Sequence, residues 1–160
     1  MNFSDALLLV AIATASPAPP ADTTISGPAT VIDGDTIAVQ GHRIRLFGID
    51  APESDQRCIS ADRLPYNCGS LATSVLEEEI GGATVNCFVI DIDQYHRSVA
   101  VCAANDHDLG ERMVRRGFAI DYPFFSGGKY AEPQEDARKA KRGLWAGSFI
   151  DPREWRRGVR

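Results

Sequence analysis

Three short strand-like runs separated by tight turns lie near the start of the chain, and they constrain the fold more than any other feature. The runs cover residues 29–32, 36–39 and 43–49, and apolar and polar residues alternate in the third. Gly34 and the pair Gln40–Gly41 supply the turns. Turns this short join antiparallel neighbours, so we predict a three-stranded meander.

Two further strands and about three helices are predicted in the remainder of the chain. The strands cover residues 84–90 and 98–103, and the helices cover residues 68–80, 108–117 and 133–142. Five strands with helices inserted and appended are typical of an α+β domain built on a small barrel. We therefore predict a five-stranded β-barrel like that of the oligonucleotide-binding (OB) fold, with about three helices.

Length and composition favour one domain. A chain of 160 residues with 44% hydrophobic residues can bury one core and is short for two. We predict that residues 29–160 form this domain and that residues 23–28 form a linker before it. A monomer is the default expectation.

The first 22 residues resemble a secretory signal. Ala6–Ala15 is an apolar run followed by small residues and a proline-rich stretch, and it is too short to span a bilayer as a helix. Asp5 and the lack of Lys or Arg before the run do not fit such a signal, so a disordered or locally packed tail is the alternative. Export predicts a periplasmic or secreted protein without a stable membrane span in its mature form. An uncleaved leader would add an N-terminal membrane tether.

Four cysteines suit two disulfides in an oxidising compartment. Cys87 and Cys102 are equally far from the centre of the segment DIDQYHR, which separates two predicted strands, so a hairpin would place them opposite each other. We therefore predict the pairs Cys87–Cys102 and Cys58–Cys68. Two of the four could instead be small buried thiols. Zinc ligation is the weakest alternative, because no pair has the close spacing of a zinc knuckle.

Charge is unevenly distributed along the chain. The net charge is −5, but residues 137–160 contain eight Lys or Arg and only two acids, which leaves residues 1–136 with a net charge of −11. This acidic balance argues against a protein that simply coats nucleic acid. The basic C-terminal segment could hold a polyanion near an acidic site, or it could be a solvated helix face and tail.

A group of acids and arginines follows the strands of the predicted meander and the later hairpin turn. Its members are Asp33, Asp35, Asp50, Glu53, Arg45 and Arg97. Carboxylates brought together by paired strands would repel one another unless a cation lies among them, and calcium accepts irregular sets of carboxylate, carbonyl and water oxygens. The arginines could hold phosphate oxygens, so the group suits phosphoryl transfer. The alternative is a set of surface ion pairs, each worth at most about 1 kcal/mol.

Five motifs support a more specific interpretation. In chain order they are VIDGDTI, IRLFGIDAPE, DQYHR, MVRRGFA and RGLW. In these motifs the chain resembles the staphylococcal-type nuclease, or thermonuclease, family over about residues 29–156. The resemblance implies a calcium-dependent hydrolase, an endonuclease-type phosphodiesterase of low sequence specificity. It would cleave single-stranded or frayed DNA or RNA and leave 3′-phosphate and 5′-hydroxyl ends.

The resemblance also implies a calcium site. Asp35 and Asp50 would bind the ion through their carboxylates, and Ala51 would contribute its backbone carbonyl. Asp33 would lie just outside these ligands and support them.

Catalytic and substrate-binding roles are implied in the same way. Glu53 would be the general base toward the attacking water, and Arg45 and Arg97 would hold the scissile phosphate. Tyr95 would contact a terminal phosphate of the bound nucleotide, and Tyr122 lies in the region of the base-stacking tyrosines.

The chain departs from the family pattern at several positions. His96 stands where the turn normally has glycine, although His tolerates positive φ better than most side chains. Gln94 replaces a lysine, which removes one phosphate contact. The stacking residues cannot be aligned securely, because Phe124 and Phe125 lie in the same region and Tyr130 lies further along.

Two other functions are consistent with this sequence. The domain could be a catalytically silent module that binds nucleic acid or protein. It could also be a calcium-stabilised envelope protein in which the same acids hold an ion without turnover.

Overall fold

A computed structural model describes residue 20 and residues 23–160. Apart from residue 20, the predicted leader lies outside the described residues. The elements, in chain order, are β1 (Thr24–Gly27), β2 (Ala29–Asp33), β3 (Thr36–Val39), β4 (His42–Leu46), β5 (Ile49–Asp50), β6 (Arg57–Ile59), β7 (Pro65–Asn67), α1 (Cys68–Ile80), β8 (Val85–Ile92), β9 (Ser98–Ala104), β10 (His107–Asp108), α2 (Leu109–Arg115), β11 (Ile120–Asp121), α3 (Pro123–Ser126), α4 (Ala131–Lys139), a 3-10 turn (Gly143–Ala146) and α5 (Pro152–Arg156).

Seven strands, rather than the predicted five, form one curled sheet. Its order is β1-β8-β9-β4-β3-β2, and β10 pairs with β9 beside this path. β4 and β9 run parallel, and the other neighbours run antiparallel. The curl brings β1 back toward the β3–β4 turn, where Gln40 Nε2 donates to the carbonyl of Ser26 at 2.8 Å. This α+β, OB-fold-like architecture confirms the predicted fold class.

The core fills the inside of the curled sheet because apolar residues alternate along its strands. In β4, Ile44 and Leu46 point into the core, and Arg43 and Arg45 alternate with them on the other face. α1 covers the open side and packs against β2 and α2. Its N-terminus is capped by Asn67 Oδ1, which accepts from Ser70 N at 2.8 Å.

The structure differs from the sequence prediction in several element boundaries and in the number of helices. The predicted linker over residues 23–28 is wrong, because Thr24–Gly27 forms β1 and pairs with β8. The predicted strand over residues 43–49 is divided, because Gly48 has a φ of +70° and turns the chain between β4 and β5. The described residues form five α-helices rather than about three, since α3 and α5 have only four and five residues.

Both predicted disulfides are present. Cys87 and Cys102 are directly opposite in the β8–β9 ladder, as the hairpin argument required. Cys58 and Cys68 join β6 to the start of α1 and pack with Leu144 in a second, small apolar cluster. Among the described residues, the helices are too short and too polar for any of them to cross a membrane.

Candidate active site

One cleft of about 1240 Å³ gathers most of the residues that the sequence singled out. Those that line it are Asp33, Asp35, Arg45, Ala51, Glu53, Tyr95, Arg97 and Tyr122. Asp50 is fully buried beneath them. The β2–β3 turn, the chain after β5 and the β8–β9 turn supply most of the set, and Arg45 comes from β4 and Tyr122 from the residue after β11.

The β2–β3 turn presents Asp35. Asp33 Oδ1 accepts from Asp35 N at 3.1 Å, so Asp33 supports the turn. Gly34 lets this turn approach its neighbours, because a Cβ there would lie only 2.7 Å from the Cβ of Ala51. Asp35 Oδ2 accepts from Ala51 N at 3.1 Å, which ties the β2–β3 turn to the chain after β5.

Arg45 joins the two buried acids. Its Nη1 donates to Asp35 Oδ1 and its Nη2 donates to Asp50 Oδ1, each at 3.0 Å. Burial raises the pKa of Asp35, and the charge of Arg45 offsets this only in part. Burial alone would lower the pKa of Arg45, but Asp35 and Asp50 outweigh it and raise that pKa. The three side chains therefore form one ion-paired unit under the cleft.

Glu53 lies on a tightly held loop after Pro52. Its backbone N–H donates to Gln56 Oε1 at 3.2 Å, and Gln56 N donates back to the Glu53 carbonyl at 2.8 Å. Gln56 is fully buried. The first turn of α1 lies against this loop, since a Cβ at Gly69 would be 1.7 Å from the Glu53 carbonyl oxygen. The Glu53 carboxylate therefore reaches the cleft from a fixed backbone.

The β8–β9 turn carries Arg97 and Tyr95 on the cleft wall. Asp93 Oδ1 accepts from the backbone N–H groups of both residues, at 2.9 Å from Tyr95 and 3.0 Å from Arg97. Arg97 Nε donates to Asp93 Oδ2 at 2.7 Å, so the guanidinium is held within its own turn. His96 adopts a φ of +59°, the left-handed conformation in which glycine is common.

Aromatic side chains form another part of the cleft wall. Tyr122 and Phe125 line it with ring centroids 4.8 Å apart, and Phe125 is 57% exposed. Phe124 is 85% exposed and meets Phe125 edge to face. Tyr130 is buried against Asp108, which removes it from the stacking candidates.

Two arginines of α5 reach the site, and neither was predicted to do so. Arg156 donates to both carboxylate oxygens of Asp50 and to Glu53 Oε1. Burial alone would lower its pKa, but Asp50 and Glu53 raise it. The Arg153 guanidinium lies 4.6 Å from the centroid of the Tyr122 ring. In the sequence these residues were part of a general basic excess, with no periodicity to show which would face the cleft.

The chemistry of the donors fits a hard cation such as calcium. Asp35 and Asp50 offer carboxylate oxygens, and Ala51 offers a carbonyl oxygen. Two histidines, His42 and His96, also line the cleft, on β4 and on the β8–β9 turn. Within residue 20 and residues 23–160, no group of three or more His, Cys, Asp or Glu is arranged to hold a metal. The protein would thus supply two carboxylates, and the carbonyl and waters would complete the six to eight oxygens that calcium takes.

Comparison with known proteins assigns the family. Residues 43–147 match the family model described as Staphylococcal nuclease homologue. An uncharacterized endonuclease of Escherichia coli O157:H7 is 33% identical over 137 residues, which cover 79% of this chain and 80% of that protein. The chain belongs to the staphylococcal nuclease homologue family.

Other relatives of this nuclease homologue are longer proteins. Succinoglycan biosynthesis protein ExoI of Rhizobium meliloti (strain 1021) is 34% identical over 123 residues, which cover 76% of this chain and 64% of that protein. A probable staphylococcal-like nuclease of Oryza sativa subsp. japonica is 34% identical over 128 residues, covering 79% of this chain. The match spans only 32% of that plant protein.

Proposed function

We propose that this staphylococcal nuclease homologue is a calcium-dependent nuclease of low sequence specificity that acts on DNA or RNA. The observation that carries the proposal is the single cleft in which Arg45 bonds to both buried acids while Glu53, Arg97 and the aromatic residues line the walls. Family membership supports the same activity. The proposed substrate is a single-stranded or frayed polynucleotide, because exposed aromatic rings can stack on bases of any sequence.

Asp35, Asp50 and the Ala51 carbonyl are the proposed calcium ligands, and Asp33 supports them through the turn. Calcium bound there would offset the negative charge of the scissile phosphate and so ease the approach of a nucleophile. Asp50 is buried and already accepts from Arg45 and Arg156, so calcium would have to take over part of these contacts.

Glu53 is the proposed general base. Its side chain is 38% exposed and borders the cleft, so it can orient or deprotonate a water molecule for in-line attack on phosphorus. The rigid loop beneath it, held by Gln56 and Gly69, would keep the carboxylate at a constant position.

Arg45 and Arg97 are the proposed phosphate-binding arginines. Arg45 uses three of the five N–H groups of a guanidinium, in its bonds to Asp35 and Asp50 and in a third to the Ile49 carbonyl at 3.3 Å, which leaves two for a phosphate oxygen. Arg97 lies across the cleft and would have to share its guanidinium between Asp93 and the substrate. Both would stabilise the charge that develops on phosphorus in the transition state, and Tyr95 would contact a terminal phosphate.

Export to an oxidising compartment is part of the proposal. The two disulfides support it, because such bonds persist outside reducing cytosol. A monomer and the leader over residues 1–22 remain predictions, and the proposed domain begins at β1 rather than at residue 29.

A catalytically silent or calcium-stabilised protein is the alternative. Guanidinium groups already satisfy both oxygens of Asp50, which favours the catalytically silent protein and gives no support to the calcium-stabilised one. Retention of Glu53, Arg45 and Arg97 in one cleft favours the nuclease instead.

Hydrolysis assays distinguish these functions. The chain, prepared under oxidising conditions, is incubated with single-stranded DNA, double-stranded DNA or RNA, in calcium, in magnesium or in chelator. We expect calcium-dependent cleavage that chelator abolishes and products with 3′-phosphate and 5′-hydroxyl ends. Products with 5′-phosphate ends would contradict the proposed end chemistry. Folded protein that binds calcium and cleaves none of the three substrates would support the alternative.

A further inference from the structure

Arg156 links the proposed metal ligand to the proposed general base. Its guanidinium donates to Asp50 Oδ1 at 3.1 Å, to Asp50 Oδ2 at 2.8 Å and to Glu53 Oε1 at 2.6 Å. Asp50 is fully buried, whereas the Arg156 side chain is 39% exposed. Because one guanidinium reaches the buried Asp50 carboxylate and the Glu53 carboxylate together, the contact depends on where the backbone places α5.

The backbone before α5 is firmly attached to the rest of the fold. Ser148 and Ile59 exchange two backbone hydrogen bonds at 2.9 and 3.0 Å, and Gln56 Nε2 donates to the Ile150 carbonyl at 2.7 Å. Trp155 is 8% exposed and its Nε1 donates to Asp55 at 3.3 Å. These contacts hold residues 147–157, which we call the C-terminal strap, across the β6–β7 hairpin and over the cleft. The family match ends at residue 147, before the strap reaches the site.

Arg156 and a divalent cation would meet the same requirement. A buried carboxylate such as Asp50 needs positive charge or hydrogen-bond donors around it. Arg45 provides one bond to it, and Arg156 provides two that engage both of its oxygens. A metal on Asp50 would compete for those oxygens and be repelled by the nearby guanidinium.

We propose that Arg156 is an internal cation of this site. It pairs with Asp50 and Glu53 in the metal-free protein, and calcium would bind by displacing it from Asp50. Arg156 therefore sets the affinity of the site for calcium and positions Glu53. The inference rests on the proposed function for the identity of the metal, but its test does not depend on cleavage.

The test compares calcium affinity in matched variants of the whole chain by isothermal titration calorimetry. Arg156→Gln removes the internal cation. Arg157→Gln removes the same charge from the next residue, which pairs with Glu154 on the surface. Competition predicts that Arg156→Gln binds calcium at least about fivefold more tightly than wild type, at the lower end of typical coupling between sites. Arg157→Gln should stay within about twofold, since exposed charges are screened.

Thermal unfolding provides a second readout. Without calcium, Arg156→Gln should melt below wild type, because Asp50 loses two of its hydrogen bonds. At equal calcium concentration its melting temperature should rise more than that of wild type, because tighter binding stabilises the folded state more. Arg156→Lys keeps the charge but not the planar two-pronged contact, and we expect an intermediate affinity. This variant serves as the test if Arg156→Gln does not fold.

Several outcomes would overturn the inference. Unchanged or weaker calcium binding by Arg156→Gln, or equal tightening in Arg157→Gln, would show that Arg156 does not compete locally. If Arg156→Gln does not fold and Arg156→Lys is used instead, a calcium affinity equal to that of wild type would also show that Arg156 does not compete locally. If neither wild type nor Arg156→Gln binds calcium, the inference is also wrong. Absence of cleavage by a wild-type protein that binds calcium would instead count only against the proposed nuclease function.

Discussion

The close approach of α1 to the Glu53 loop makes Gly69→Ala a sharp test of how the site is held. A Cβ at position 69 would lie 1.7 Å from the carbonyl oxygen of Glu53 and 2.6 Å from its carbonyl carbon. Both are backbone atoms, so no side-chain rotation can relieve the overlap. Either the loop that carries Glu53 or the first turn of α1 must move.

The expected cost follows from two opposing effects. Overpacking costs about 1–3 kcal/mol, and a clash with backbone falls at the upper end. Alanine in a helix gains about 1 kcal/mol over glycine, so the net loss should be about 2 kcal/mol. For a domain of this size that lowers the melting temperature by about 4–8 °C.

Gly82→Ala is the matched control. Gly82 has a φ of +75° and open space around its Cα, so alanine there costs about 1 kcal/mol through backbone strain alone and lies far from Glu53. Differential scanning calorimetry gives the stability of both variants, and cleavage of a single-stranded oligonucleotide gives their activity. We expect both to melt below wild type and only Gly69→Ala to lose activity. A Gly69→Ala protein as stable and active as wild type would refute the argument for a fixed loop.

Two further variants test the charge and aromatic features of the structure. Burial alone would raise the pKa of Glu79, but hydrogen bonds from Arg112 and Arg116 lower it, so the stabilisation is complete above the ordinary value of 4.5 and is lost as pH falls below it. Urea unfolding of Glu79→Gln should show a loss of about 2 kcal/mol at pH 7 that shrinks as pH falls below 4.5, and a loss independent of pH would contradict the ion pairs. Phe125→Ala should raise KM for single-stranded DNA by about fivefold or more with little change in kcat, because the stacking of a base on an aromatic ring contributes to substrate binding. Phe88→Ala, at an exposed position away from the cleft, should leave KM unchanged, and equal effects in the two variants would argue against stacking by Phe125.

Local patterns were enough to predict much of the fold. α1 has the predicted bounds, because Asn67 can cap it and glycines follow its last turn. The pairing of Cys87 with Cys102 followed from hairpin symmetry. Residues that depend on tertiary contacts were missed: β1 looks like a linker because it contains Gly27 and precedes Pro28, and its pairing with β8 is visible only in the fold.

The site was predicted only as far as its motifs extend. The cleft gathers both predicted arginines and every predicted acid except Asp50, because the acids and Arg97 lie at strand ends or in turns and Arg45 lies on β4 beside them. Arg156 was not predicted, since it meets Asp50 across more than one hundred residues of chain. Its approach depends on the strap and on Gln56, and neither has a local sequence signal.

The most direct test of the account is the rate at which calcium-loaded protein cleaves a 5′-labelled single-stranded oligonucleotide, compared between wild type, Glu53→Gln and Arg45→Ala. Arg57→Ala, at an exposed position outside the cleft, is the control. The account predicts that each site variant, compared as folded protein, is slower by about 100-fold or more while the control is unaffected. Rates within about tenfold of wild type in either folded site variant would contradict the assignment of this cleft as the active site.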